Sequence, residues 1–222
     1  TATGHPFYPA DSVNLSDFDS YVAAMKDVCV LVDQEERKAR IADQLVKVAA
    51  TKQLQPVADD NLLDEVTGLV EWPNVIIGQI EPDFMFLPPE VLVTSMRVHQ
   101  KFFALSQKGA TENLAPFFMT VTNRRSDLVN DKLIAAGNER VLRARLADAK
   151  FFYEQDKQTP LDSLAEKLEV ITFYEGLGSV ADKAERMAAL AGAIASHLDA
   201  VDSGTARRAA VLAKVDLASE MV

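Results

Sequence analysis

The chain has 222 residues, 48% of them hydrophobic and 25% charged, with a formal net charge of −10 and a pI near 4.8. This composition supports a packed core in one domain or two and excludes a disordered chain. The acidic balance excludes general affinity for nucleic acid or membrane surfaces, so any RNA contact has to be a local cationic patch. Cys29 is the only cysteine. An internal disulfide is therefore ruled out, in keeping with a reducing cytosol. The longest apolar run, MAALAGAIA (187–195), is far too short to span a bilayer, and the N-terminus lacks the layout of a signal peptide, so the expected location is cytoplasmic. The chain starts at Thr1 without a methionine and stops at Met221–Val222 inside a helical pattern, which suggests an interior piece of a longer protein.

In chain order, Ser16 with Asp19 three residues on has the form of a capping box and predicts a helix to about Asp27. CVLV (29–32) is a short β-prone run. Asp33 with Glu36 opens a long charged helix through about Gln53. Leu62, Leu63, Val66, Leu69 and Val70 repeat at helical spacing. NVIIGQI (74–80), behind the break at Pro73, reads as a buried strand. PPEVLVTSMRVHQ places proline in a first helical turn. KFFAL (101–105) and PFFMTVT (116–122) flank turn residues and predict a hairpin. From about Ser126 onward the pattern is helical only. An α+β domain over 1–157 followed by a helical domain over 158–222 is therefore expected, with the boundary near the polar QDKQTP segment (155–160).

Familiar catalytic signatures are missing. His5, His99 and His197 have no second histidine or cysteine at metal-ligand spacing, so no metal site is expected and each reads as a structural or surface residue. GLGS (176–179) lacks both the lysine of a P-loop and the third glycine of a dinucleotide fingerprint. It reads instead as capping: Gly176 and Gly178 end one helix, and Ser179 caps the next with Asp182.

Two stretches are basic and aromatic together. MRVHQKFF (96–103) sets Arg97, His99 and Lys101 beside two phenylalanines, a combination that can grip single-stranded RNA, but on pattern alone a strand with Phe102 or Phe103 in the core and Lys101 in water is the better reading. GNERVLRARLADAKFFYEQD (137–156) gathers three arginines. On a helix, Leu142, Leu146, Ala149 and Tyr153 form a core stripe, while Arg140, Arg143 and Lys150 share the wet face. Ion pairs of Glu139 with Arg143 and of Glu154 with Lys150 are the plain account of that face, while Arg145 sits apart beside the apolar stripe and is expected to pair with Asp148. Between Asn123 and Arg145, however, six basic residues, Arg124 and Arg125 among them, stand against three acidic ones. Candidate RNA-binding residues are therefore Arg140, Arg143, Lys150, Arg97, Lys101, Arg124 and Arg125; no catalytic residue is assigned.

Seven stretches taken in order, TGHPFY (3–8), EERKARI (35–41), LVEWP (69–73), LPPEVLVTSMRVHQKFF (87–103), GNERVLRARLADAKFFYEQD, LGSVADKAERMAALAG (177–192) and KVDLASEMV (214–222), resemble the β subunit of the bacterial two-subunit, class II glycyl-tRNA synthetase. The resemblance implies an interior piece of that subunit. It further implies an editing-type α+β domain like that of the phenylalanyl-tRNA synthetase β subunit, followed by the start of an HD-like helical domain. The implied role is support of tRNA binding and subunit assembly for ATP-dependent charging of tRNA with glycine. The family's ATP, Mg and glycine chemistry resides on the α subunit, so no cofactor is expected on this piece. Implied partners are the α subunit and glycine tRNA, with a second β subunit as a further candidate and no membrane. Pro6 stands where the family usually has arginine, Phe103–Ala104 stands where Tyr–Pro is common, and no adjacent His–Asp pair occurs in the HD-like part. Two alternatives follow: an editing deacylase, and a scaffold without RNA contact. Glycine is the smallest amino acid, and a tight pocket can exclude larger rivals by clash, which weakens the case for editing.

Overall fold

The computed structural model describes residues 1–8 and 15–221. The chain divides into two compact units, Thr1–Ala147 and Asp148–Val222.

The first unit is a four-stranded antiparallel sheet with helices. Its elements run α1 (Phe18–Asp27), α2 (Gln34–Ala50), β1 (Leu54–Pro56), α3 (Asp60–Leu69), β2 (Pro73–Gln79), α4 (Pro89–Gln100), β3 (Phe103–Gln107) and β4 (Ala110–Asn123), then the first part of α5 (Leu128–Gln158). Strand order is β1-β3-β4-β2. The β3–β4 hairpin turns tightly at Lys108–Gly109, since Gln107 pairs with Ala110, and a bulge follows near Ser106. Beyond it, β2 pairs along β4 from Pro73↔Asn123 to Gln79↔Phe117.

Both faces of this sheet are buried. Val75, Phe103, Leu105, Ala115 and Met119 point to one side and pack with Ile41, Leu45 and Ala49 of α2 and Leu62 and Val66 of α3. The apolar stripes of those two helices predicted their packing. Residues of the other parity, Ile76, Ala104, Ser106, Phe118 and Thr120, are buried as well. On that side Phe118 stacks on Phe102 at 4.5 Å between ring centroids. Gly78 lies opposite Phe118 in the β2–β4 register, and a methyl group on it would overlap the Phe118 ring. Edge strand β2 is protected by side chains. The Gln44 amide accepts from Val75 N at 2.8 Å and donates to Pro73 O at 3.1 Å, and Glu139 accepts from Gln79 N at 2.8 Å. These side chains occupy part of the edge with which another chain could otherwise pair.

Several local expectations need correction. The capping box of α1 is Asp17 with Ser20, one residue beyond the predicted pair. CVLV forms no strand: Cys29 takes a left-handed φ of 64°, and Leu31 N donates to Glu71 O at 3.0 Å. The region after Ser126 is not wholly helical, because Thr172–Tyr174 (β5) and Gly178–Ser179 (β6) make a small antiparallel pair. Gly176 and Gly178 therefore serve that turn, both with positive φ, and do not end a helix. Strand β1 was not anticipated at all.

The second unit holds the end of α5, α6 (Leu161–Lys167), the β5–β6 pair, α7 (Val180–Ala195) and α8 (Ser203–Leu212). One buried cluster holds Leu164, Leu168, Val180 and Val215, with Ile171 and Leu212 packed against them, and the short side chains of Ala184, Ala188, Ala195 and Ala210 are buried along α7 and α8. Side-chain caps fix the helix starts. Ser179 and Asp182 form the predicted capping box of α7, and Asp202 accepts from Thr205 N at 2.6 Å to cap α8. Arg208 donates to both Asp162 oxygens, joining α8 to α6. Among the described residues, no helix is long and apolar enough to cross a membrane.

Candidate nucleic-acid interface

The candidate cations fall into three separate settings. At the C-terminal end of α4, Arg97 Nε lies 2.5 Å from Asp59 Oδ2, and Lys101 Nζ lies 2.7 Å from Glu65 Oε1. Asp59 also caps α3 by accepting from Leu62 N at 2.9 Å. Both cations are thus held by carboxylates of α3. Lys101 ends α4 in a left-handed conformation, and Phe102 and Phe103 beyond it are buried. No ring at this corner is open for stacking.

On α5, Leu142, Leu146 and Ala149 are buried as the stripe predicted, and Tyr153 is half-buried. Arg143 pairs with Glu81, not with Glu139, whose carboxylate is taken by Gln79 N. The pairing of Arg145 with Asp148 does not form: among the described residues neither makes an ion pair within 4.0 Å. A cavity of about 230 Å³ lies beneath Arg143, walled by Ile80, Glu81, Phe84, Leu142 and Leu146. Arg140 is exposed and makes no ion pair among the described residues. Lys150, on the part of α5 that belongs to the second unit, is half-buried.

The third setting surrounds the N-terminal TGHPFY stretch. Gly4 passes so close to Val28 that a Cβ would sit 2.5 Å from the Val28 side chain, which lets His5 N donate to Val28 O at 3.1 Å. His5 is buried. Its Nδ1 accepts from Phe7 N at 3.2 Å, its Nε2 has no hydrogen-bond partner, and Glu71 Oε2 lies 4.0 Å away. Its ring meets those of Phe7 and Tyr8 at centroid distances of 5.5 and 5.1 Å. Tyr8 is tied to the end of β4: its hydroxyl accepts from Arg125 N at 2.6 Å, and the Arg125 guanidinium lies 5.0 Å above its ring. Arg125 Nε donates to the buried Cys29 Sγ at 2.7 Å. Arg125 is therefore an internal fastener. Arg124 differs: among the described residues its buried Nε has no hydrogen-bond partner and no carboxylate lies within ion-pair distance.

Arg124 lines a cavity of about 510 Å³ together with Phe7, Tyr8, Thr122, Asn123 and Ile134. Asn123 Oδ1 accepts from Glu71 N at 2.9 Å and from Trp72 N at 2.8 Å. Two backbone donors fix the amide orientation and leave Nδ2 as a donor with no partner among the described residues. Sequence reasoning singled out Arg124 but missed Phe7, Tyr8 and Asn123. The available signal was the pair of aromatics in TGHPFY and the asparagine just before the two arginines.

Among the described residues, no group of three or more His, Cys, Asp or Glu side chains is placed to hold a metal ion. His99 and His197 are exposed.

The sequence profile of the family described as "Glycyl-tRNA synthetase beta subunit" matches residues 1–222. The chain is 41% identical over 222 residues to the glycine–tRNA ligase beta subunit of Chromohalobacter salexigens, covering 100% of this chain and 32% of that protein. It is 44% identical over 222 residues to the protein of that name from Rhodospirillum centenum, covering 99% of this chain and 30% of that protein. Against the Synechocystis protein of the same name, identity is 42% over 217 residues, covering 97% of this chain and 29% of that protein. The chain thus spans less than a third of the length of these relatives.

Proposed function

The chain belongs to the glycyl-tRNA synthetase beta subunit family, and from that premise we propose that it supports tRNA binding and assembly in a glycine–tRNA ligase without itself forming the adenylate. The observation that carries this reading is the family match along every residue of the chain. The α subunit is its proposed partner and holds ATP, Mg and glycine; glycine tRNA is the proposed RNA, and a second β subunit a further partner. Residues 1–157 are read as an editing-type domain and 158–222 as the start of an HD-like one, a reading that rests on the sequence resemblance and is compatible with a sheet-and-helix unit preceding a mainly helical one.

For RNA contact, the proposal weights the candidates unequally. Among the described residues Arg140 and Arg124 make no ion pair within 4.0 Å, so they are the better phosphate ligands. Arg97, Lys101 and Arg143 would have to leave ion pairs first, and Arg125 is engaged by Cys29 and Tyr8. Surface ion pairs of this kind contribute only about 0–1 kcal/mol, so exchange of a carboxylate for a phosphate is affordable at Arg143. Neither the deacylase nor the pure-scaffold reading is favoured by any particular feature of this site. The 222-residue chain alone should give no glycine-dependent exchange of pyrophosphate into ATP, whereas the complete two-subunit enzyme should. Exchange by the chain alone would overturn the assignment of adenylate chemistry to the partner.

A further inference from the structure

We propose that the cavity lined by Phe7, Tyr8, Thr122, Asn123, Arg124 and Ile134 receives one unpaired nucleotide of bound tRNA, with its base on the aromatic wall and its phosphate at the Arg124 guanidinium. The inference rests on the tRNA-binding reading above and adds to it a location and a ligand class.

Four observations carry it. The first is size: at about 510 Å³ the cavity lies within the roughly 300–1,000 Å³ typical of small-ligand sites. The second is the ring of Phe7, which is 71% exposed although it belongs to a segment pinned by His5 and Tyr8. An exposed ring on a fixed segment offers a preorganised stacking surface, and every base has a face to stack on it. The third is the Asn123 amide, oriented by two backbone N–H groups so that its Nδ2 remains a donor. A base edge presents carbonyl and ring-nitrogen acceptors to such a donor, as unstacked RNA bases do in single-stranded recognition. The fourth is Arg124, whose buried Nε has no hydrogen-bond partner and which makes no ion pair within 4.0 Å among the described residues; the nearby Asp127 feels its charge but is hydrogen-bonded to Asn130 and Val129 N. Leaving such a nitrogen unpaired carries a cost that an anionic ligand would remove.

The cation is local. Arg124 and Arg125 stand at the end of β4 in a chain of net charge −10, so the chain as a whole repels RNA and only a local cationic seat would hold it. A protein side chain could also stack on Phe7, but it would leave both the Arg124 guanidinium and the Asn123 donor without a matching anion and acceptor.

The test uses the complete two-subunit enzyme with glycine tRNA. A photoreactive benzoylphenylalanine at position 7 should crosslink to the tRNA at one unpaired nucleotide. In equilibrium binding, Phe7→Ala should weaken tRNA affinity roughly 10-fold, as expected for a lost stacking contact, and Phe7→Trp should restore it. Arg124→Ala should weaken affinity by a similar factor and reduce the log–log salt slope by roughly 0.7–0.9, the signature of one lost phosphate contact. Because Phe7 is exposed, Phe7→Ala should melt with the parent. A wild-type enzyme that binds tRNA while Phe7→Ala and Arg124→Ala bind it equally well would overturn the pocket and leave the tRNA reading intact. So would a crosslink from position 7 that goes to protein alone. Failure of the wild-type enzyme to bind tRNA would remove the reading on which the pocket rests.

Discussion

The position at which bulk matters most is Gly78. Its Cα faces the ring of Phe118, which is fully buried and already stacked on Phe102. A methyl there has no flexible neighbour to displace, because the atoms it meets belong to a ring held on its far side. Gly78→Ala should lower unfolding free energy by about 1–3 kcal/mol, the range for overpacking a tight core. The measurement is the midpoint of urea unfolding, and an unchanged midpoint would show that Phe118 yields without cost. The same scale shows what sequence reading could and could not see. Leu142 and Leu146 were legible as core because their environment is set by helical spacing. The partners of Arg97 and Lys101 were not, since Asp59 and Glu65 lie more than thirty residues away and counting along one helix never reaches them. Likewise Arg143 found Glu81, not the residue one turn before it.

Among the elements, the long and strongly patterned ones were readable and the short ones were not. Helices α2, α3 and α4 and strand β2 appear where periodicity and proline placed them. Strands β1 and β5, of three residues each, and β6, of two, carry no alternation long enough to register. Capping was legible where the cap was a single local pair, as at Ser179 with Asp182, and slipped by one residue where Ser16, Asp17, Asp19 and Ser20 competed. These caps bring a pH dependence. Hydrogen bonds from Ser179 backbone and side chain hold the Asp182 carboxyl below the ordinary carboxylate value, Thr205 does the same for Asp202, and Arg208 for Asp162. A carboxyl whose pKa is lower folded than unfolded favours folding fully above its unfolded value. That contribution disappears as pH falls through the folded one. The melting temperature should therefore hold at neutral pH and decline below about pH 4, the ordinary carboxylate range. In an Asp182→Ala/Asp202→Ala double variant the neutral-pH melting point should be lower and the acid decline shallower, as followed by circular dichroism. An acid decline as steep as the parent's would show that other carboxylates dominate.

For the whole molecule, the two compact units differ in how much apolar surface each gathers. The first buries a cluster of large side chains drawn from α2, α3 and the sheet, while the buried residues of the second are mostly alanines beside Leu164, Leu168, Val180 and Val215, helped by side-chain caps and ion pairs. Regions with few buried apolar contacts open at lower free energy. In native-state hydrogen exchange at rising urea, amides of α6, α7 and α8 should lose protection before those of β2 and the second half of β4. The opposite order would sink this ranking. The order of α+β followed by helix was visible in the sequence because strand-forming runs cease after Asn123, apart from the short pair at 172–179.

A sheet buried on both faces also changes what keeps its strands aligned. In a sheet with one wet face, sliding a strand by one residue throws its apolar set into water, so polarity alone rejects the error. Along β3 and β4 that safeguard is weak: Phe103 and Ala104, or Phe118 and Met119, would merely trade one dry compartment for another. The discriminating information here is volume. Only the native alignment sets the side-chain-free Gly78 across from Phe118, while a slip by one places Ile77 or Gln79 against that ring. The two-residue turn at Lys108–Gly109 separately sets the register of β3 on β4 at the hairpin end. Strand order in this unit is thus written as a steric key, legible to a folding chain by shape where hydrophobicity is silent.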